Sequence, residues 1–415
     1  MAFFKPLKAI RPKPEYAEKV AALPYDVMNS EEAREMVKDN PYSFLHVDKA
    51  EIDLPVGTYL YSDEVYAKAK ENLEKLVTDG ICIDDQNPKY YIYRQVMNGR
   101  AQTGIVGAAS IDDYIEGRIK RHEFTRADKE EDRIRHIDTC DANTGPIFLT
   151  YRHKEEISSF IKSYCDENAP IYDFESDNVL QTVWEIADEK LISSLEEMLS
   201  RAGDYYIADG HHRCASAAKV GIKRREENPD FDGTEEFNLF LAVLFADNDL
   251  EIMDYNRVIK DLNGLTTEEF LNKISEKFIV EKQESSSPFK PAEKHTFGLY
   301  LEEAWYKLTA KDGIFDETDP VDRLDVSILQ NNLISSVLGI TDPRTDKRID
   351  FVGGIRGLKE LERRVATDMK LAFSMFPTTL DDLMSIADAG KVMPPKSTWF
   401  EPKLLSGLFI HKLKG

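Results

Sequence analysis

Two hydrophobic periods alternate along this chain, and together they predict a mixed α/β protein. Between Ser62 and Asp79 the apolar positions Val65, Ala69, Leu73, Leu76 and Val77 share one face of a helix, and Gly80 supplies its stop. Residues 90–96 and 101–109 read as two strands joined at Asn98-Gly99, a pair favoured in tight hairpin turns. The run 237–245 is almost wholly apolar, as in a strand covered on both faces. Residues 3–14 predict a first strand closed by proline punctuation, and Pro24-Tyr25-Asp26 a turn. Asn29 with Glu32, and Thr266 with Glu269, have capping-box spacing, so a helix is expected after each, the second running to about residue 278. Further helices are expected over 177–200, 324–338 and 358–366, the last after a tight turn at Gly353-Gly354. Residues 284–288 read as a loop, and 295–310 as one or two strands. The stretch 118–135, dense in charge, is expected to be a polar loop running into a helix.

A chain of 415 residues accommodates two or three domains, and the change in character after Asp261-Leu262-Asn263-Gly264 places a boundary near 260, giving regions 1–260 and 261–415. With 42% hydrophobic residues, 21 Phe, 18 Tyr and 3 Trp, the composition is that of a folded protein. The net charge of −22 argues against a general nucleic-acid binder and against anionic membranes, while leaving room for a local basic pocket that takes a small anion. Cys82, Cys140, Cys165 and Cys214 contain no CxxC pair, which speaks against a zinc or disulfide framework and for a reducing compartment. The first residues lack the apolar region of a signal peptide and no apolar run is long enough to span a bilayer, so a cytoplasmic protein is expected.

The chemistry concentrates in two stretches. In the first, a β-favouring run, Tyr205-Tyr206-Ile207-Ala208, passes through Asp209-Gly210 into an alanine-rich helical segment beginning His211-His212-Arg213. A strand-to-helix corner of this kind points unpaired N–H groups and the positive end of the helix dipole at an anion. Gly210 lets backbone approach a ligand closely, and Arg213 can fork two hydrogen bonds onto a phosphate. An ordinary corner with an exposed histidine pair is the bland alternative. The second stretch, 121–133, holds His122, Glu123, Thr125, Arg126, Lys129 and Arg133. These are the residue types that phosphoryl transfer requires, a base beside the attacking hydroxyl and cations on the moving group. Its bland alternative is a solvated helix laced with ion pairs. Residues 390–397 nearly spell a phosphate loop, but Pro395 stands where glycine is needed and has no N–H, so a rigid surface loop packing Trp399 and Phe400 is expected. The polar turn 342–348 reads as loop chemistry without a ligand, and adjacent His211 and His212 point apart on a helix, against a zinc site.

Taken together, Pro24-Tyr25-Asp26-Val27, Ser43-Phe44-Leu45-His46-Val47, His122-Glu123-x-Thr125, Ala142-Asn143-Thr144-Gly145-Pro146, Ala208–Arg213 and Met393-Pro394-Pro395-Lys396-Ser397-Thr398 resemble the domain-of-unknown-function family ten-fifteen. That family is similar to the ParB and sulfiredoxin group and to the free L-serine kinases, which place a nucleotide phosphate at a Gly-x-x-Arg helix start. The resemblance implies a ParB/sulfiredoxin-like nucleotide-binding core with an N-terminal extension, followed by an α+β C-terminal region. It also implies transfer of a phosphoryl group from ATP or ADP, with Mg²⁺, to free serine. Sulfinic repair is disfavoured because His211 stands where a reactive cysteine is needed, and DNA binding because no basic reading helix is present. On this resemblance Gly210, His211, His212 and Arg213 hold the nucleotide, and Asp209 carries Mg²⁺ and joins Glu123 and His122 as a catalytic group. Glu123 is the expected base, with Glu15 and Glu31 as competitors, and Arg126, Lys129 or Arg133 clamps the substrate carboxylate. A kinase of another hydroxylated metabolite, and a non-catalytic nucleotide-binding or assembly protein, remain alternatives, and a homo-oligomer stays open.

Overall fold

The computed structural model describes residues 2–285 and 287–414; Met1 and Ser286, parts of the expected N-terminal start and of the expected 284–288 loop, lie outside the described residues. The chain forms two compact units, Met1–Leu250 with Pro402–Gly415, and Glu251–Glu401.

The first unit is organised by a nine-stranded mixed sheet. Its hairpin joins Tyr90–Met97 to Arg100–Ser110 across Asn98 (φ 52°) and Gly99 (φ 80°), the left-handed pair that a two-residue hairpin turn needs. Arg100–Ser110 pairs on its other side with Leu239–Ala246, which runs parallel to Ile147–Tyr151. Tyr205–Asp209 follows, antiparallel to Ile147–Tyr151 and parallel to the short strand Ile119–Lys120. At the other end, Tyr90–Met97 pairs with Val179–Ile186, and that strand with Tyr172–Ser176. Phe4–Lys5 adds to Arg100–Ser110.

One face of this sheet packs Ile92, Ile105, Leu149, Ile207 and Leu244 against helices through Ile157, Leu195, Leu199, Cys214 and Ala218. The opposite face buries a polar row, Gln95, Gln102 and Gln181, each at most 1% exposed. The returning C-terminal segment satisfies it: Gln95 donates to the Lys403 carbonyl at 2.9 Å and Gln102 to that of Pro402 at 3.3 Å. A four-stranded sheet then gathers Cys82–Asp84, Ala9–Pro12, Ile410–Lys412 and Ala142–Asn143, tying both chain ends to the motif that begins at Ala142.

The second unit holds a six-stranded antiparallel sheet in the order Phe278–Lys282, Ala304–Ala310, Thr296–Leu301, Leu371–Met375, Tyr255–Ile259, Ile349–Gly353. Phe270, Ile274, Phe297, Leu299, Leu329 and Leu333 form its core.

Several expectations need correction. Residues 177–200 are not one helix: Val179–Ile186 is a strand and only Glu189–Ser200 is helical. Asp177 (φ 50°) and Asn178 (φ 61°) make a tight turn before the strand, whose Val179, Gln181 and Val183 alternate inward. Residues 3–14 split into Phe4–Lys5 and Ala9–Pro12, in different sheets. Helix Thr267–Ile274 stops short and Phe278 opens a strand, while the helix at Asp325–Leu329 widens into a π-turn over Gln330–Ser335. The expected continuous region 261–415 does not account for the return of 402–415 to the first unit.

Candidate functional site

The corner forms from buried strand Tyr205–Asp209, with Tyr205 and Ile207 fully buried, and helix His211–Glu227. Gly210 joins them at φ 92°, a left-handed conformation that suits glycine. No side chain caps the helix and its first turn carries no acid. Cys214, Ala215, Ser216, Ala217 and Ala218 are all buried, and these small residues let the helix sit close against its neighbours. Arg213 folds back over the turn: a Cβ on Gly210 would lie 3.1 Å from its Nε, and one on Gly145 would lie 3.5 Å from its Nη1. Its Nη1 donates to the Pro146 carbonyl at 2.5 Å, so the two glycine-bearing motifs grip one guanidinium.

The loop 121–126 lies against the start of that helix. The His122 and His211 rings meet edge-to-face with centroids 4.4 Å apart, and the His122 backbone N–H donates to His211 Nε2 at 3.4 Å. The Arg126 N–H donates to His212 Nε2 at 3.0 Å. Burial pushes the His122 imidazole down to about 4, and burial and His122 together hold His211 well below its ordinary range. His212 is lowered too, by burial first. All three are therefore neutral near pH 7, consistent with the His211 and His212 ring nitrogens that accept from backbone N–H groups. Neither ring nitrogen of His122 has a hydrogen-bond partner. Glu123 reaches His211, its Oε2 3.8 Å from Nδ1, with its side chain 47% exposed.

Helix Ala127–Cys140 is not a solvated face. Glu130, Asp132, Arg133 and His136 are all buried. Glu130 binds Lys219 and Thr125, and its backbone carbonyl accepts from Ser216 Oγ at 3.1 Å. Arg133 pairs with Asp132 at 2.8 Å and lies 4.0 Å from the Tyr25 ring centroid. Of the three expected substrate cations, only Arg133 lines the pocket that adjoins Arg213, together with Tyr25, Asp48, His136, Thr144 and Ser406. Arg126 is exposed and engaged by Asp128 at 2.7 Å, and Lys129, half-buried on the first turn, acts on His212 through its charge. Glu15 and Glu31 are exposed, Glu31 on the first turn of the capped helix Ser30–Val37.

Asp209 does not fit the Mg²⁺ role. Its Oδ2 faces Lys403 Nζ at 3.2 Å and its Oδ1 accepts the Gly210 N–H at 2.9 Å. Burial opposes ionisation here, yet Lys403 and Arg213 outweigh it and hold the carboxyl below its usual range. Among the described residues no three His, Cys, Asp or Glu groups gather as a metal cage. The corner suits a phosphate better: an uncapped helix start, a left-handed glycine and an arginine at its mouth.

Asp48, His136, Lys403 and Ser406 are the residues that sequence reasoning missed. Asp48 directly follows the Ser43–Val47 motif, which was a usable signal; Lys403 and Ser406 arrive from the far end of the chain and had none.

A mixed α/β chain with an uncapped helix start and an arginine folded over its first turn is the class these observations define. The chain belongs to the family described as Protein of unknown function (DUF1015), whose model matches residues 4–327. No curated protein matches it. Among solved structures it is similar to a free serine kinase in complex with AMP, at 16% identity and TM-score 0.37, covering 74% of this chain and 90% of that one. A mutant free serine kinase in complex with ADP matches at 14% identity and TM-score 0.38, covering 77% and 95%. SbnI with a C-terminal truncation, from Staphylococcus aureus, matches at 11% identity and TM-score 0.38, covering 74% and 87%.

Proposed function

We propose that this chain is a nucleotide-dependent kinase of a small hydroxyl compound, with free L-serine as the acceptor and O-phospho-L-serine as the product. The observation that carries this reading is the juxtaposition at one helix start: Arg213 and Gly210 at the phosphate corner, and Glu123 within 3.8 Å of His211 on its first turn. Arg213 and the open N–H groups after Gly210 hold the phosphates of ATP or ADP. The acceptor oxygen attacks the terminal phosphorus, and its proton passes to the Glu123 carboxylate as the new P–O bond forms. The bond to the bridging oxygen breaks, and the shortened nucleotide leaves with that electron pair. His211, neutral and buried, orients Glu123. Lys403 keeps Asp209 ionised, which anchors the turn through the Gly210 N–H. Mg²⁺, where the reaction uses it, offsets charge on the phosphates, and no carboxylate cage is assigned to it.

The test is incubation of the full chain with ATP or ADP, Mg²⁺ and a panel of hydroxylated metabolites, read by mass spectrometry. A phosphorylated acceptor is expected, and Glu123→Gln should lower turnover roughly 10²- to 10⁴-fold with nucleotide affinity nearly unchanged. Unchanged turnover removes Glu123 from the mechanism. Nucleotide binding with no product from any donor replaces the kinase by a non-catalytic nucleotide-binding protein.

A further inference from the structure

The pocket beside Arg213 buries opposite charges. Asp48 is 5% exposed and Arg133 8% exposed, and both line it. Burying ionised groups is costly, and a fold tolerates it where each charge meets a partner. The partners present leave capacity on both sides. Asp48 accepts from Thr144 Oγ1 at 2.7 Å through Oδ1, which leaves Oδ2. Arg133 engages Asp132 through Nε and Nη2, which leaves Nη1. Arg133 is held in place, since Tyr66 donates to its partner Asp132 at 2.9 Å and the Tyr25 ring stands 4.0 Å from its guanidinium. The buried acid and the buried arginine therefore face one small space that also reaches the phosphate-binding arginine.

We infer that this pocket takes the zwitterionic end of an α-amino acid, with the ammonium on Asp48 and the carboxylate on Arg133, and turns the side-chain hydroxyl toward Arg213. The inference rests on the kinase reading of the same site, and it decides among acceptors that the reading leaves open. A hydroxy acid leaves Asp48 unpaired, an amino alcohol leaves Arg133 unpaired, and a neutral polyol satisfies neither. Discrimination against such analogues comes from the buried charge each one strands. Arg126 and Lys129 have no part in it.

The experiment compares L-serine, 3-hydroxypropionate and ethanolamine as acceptors and, by calorimetry, as ligands, using the full chain and its Asp48→Asn and Arg133→Gln variants. The wild type is expected to prefer L-serine over either analogue by on the order of 100-fold in kcat/KM. Asp48→Asn should lower the value for L-serine far more than that for 3-hydroxypropionate, and Arg133→Gln should lower it far more than that for ethanolamine. These ratios cancel any general damage to the fold. Equal use of L-serine and 3-hydroxypropionate by the wild type, or an equal loss for both in Asp48→Asn, overturns the inference and leaves the kinase reading standing. If no acceptor is phosphorylated, the kinase reading fails. L-serine binding that Asp48→Asn abolishes then upholds the pocket's assignment, and absence of L-serine binding overturns it.

Discussion

Helices Ser30–Val37 and Thr267–Ile274 begin with their N–H groups already answered, whereas helix His211–Glu227 begins open. Asn29 accepts from the N–H groups of Glu31 and Glu32, both at 2.9 Å, and Glu32 returns a bond to the Asn29 N–H at 2.8 Å. Thr266 and Glu269 do the same, with Glu269 accepting the Thr266 N–H at 2.8 Å. Acids fill the first turns of both helices. At Gly210 there is no capping side chain, and His211, His212 and Arg213 replace the acids. A boxed start is locally complete, and its worth is stability. The open start leaves its dipole and donors without a cap, and two buried neutral histidine rings, His122 and His211, with half-buried His212 and a folded-back arginine, shape its mouth.

Three measurements sharpen this contrast, the largest effect first. The open start carries a pH dependence that boxed starts lack. His122 has its folded-state value lowered to about 4 from an ordinary 6.5, so the unfolded chain binds the proton first as pH falls. Its contribution to stability is complete above about pH 6.5 and is lost as pH drops toward 4, about 3 kcal/mol in all. Urea unfolding across that window should show the decline, and His122→Gln should make it shallower, with His211 and His212 supplying the remainder; an unchanged slope in the variant removes His122 as a source. Next, Gly210→Ala places a Cβ 3.1 Å from Arg213 in a left-handed turn. It should cost about 1–2 kcal/mol of stability and weaken nucleotide binding in a titration; full affinity would mean that the corner does not hold the phosphates. Last, Thr266→Ala opens a boxed start and should cost about 1 kcal/mol in chemical denaturation. Nucleotide affinity should not change, and if it did, the division between the two kinds of helix start would be wrong.

Legibility followed the range of the interactions involved. The Asn98-Gly99 hairpin, both capping boxes, the Ser62–Asp79 helix and the apolar strand near 237–245 are set by neighbours within a few residues, and the structure places an element at each. Val179–Ile186 was misread because its turn, Asp177-Asn178, lacks the glycine that marks the other hairpin, so charge and helix-formers beyond it dominated the pattern. The burial of Glu130, Asp132, Arg133 and His136 was equally hidden. A charged run looks solvated until the partners that answer it, here Lys219, Tyr25, Tyr66 and Val47, are folded around it.

By itself, the sequence determined that this chain is a mixed α/β protein and that Asp209–Arg213 opens a helix with an arginine in its first turn. Those properties depend on local propensity and on the chemistry of adjacent residues. Only the tertiary structure decided which distant groups complete the site. It brought Asp48, Arg133 and Thr144 to one pocket beside Arg213, set Glu123 against His211, and occupied the Asp209 carboxylate with Lys403. Such pairings cross tens to hundreds of residues, and no periodicity along a single chain encodes them.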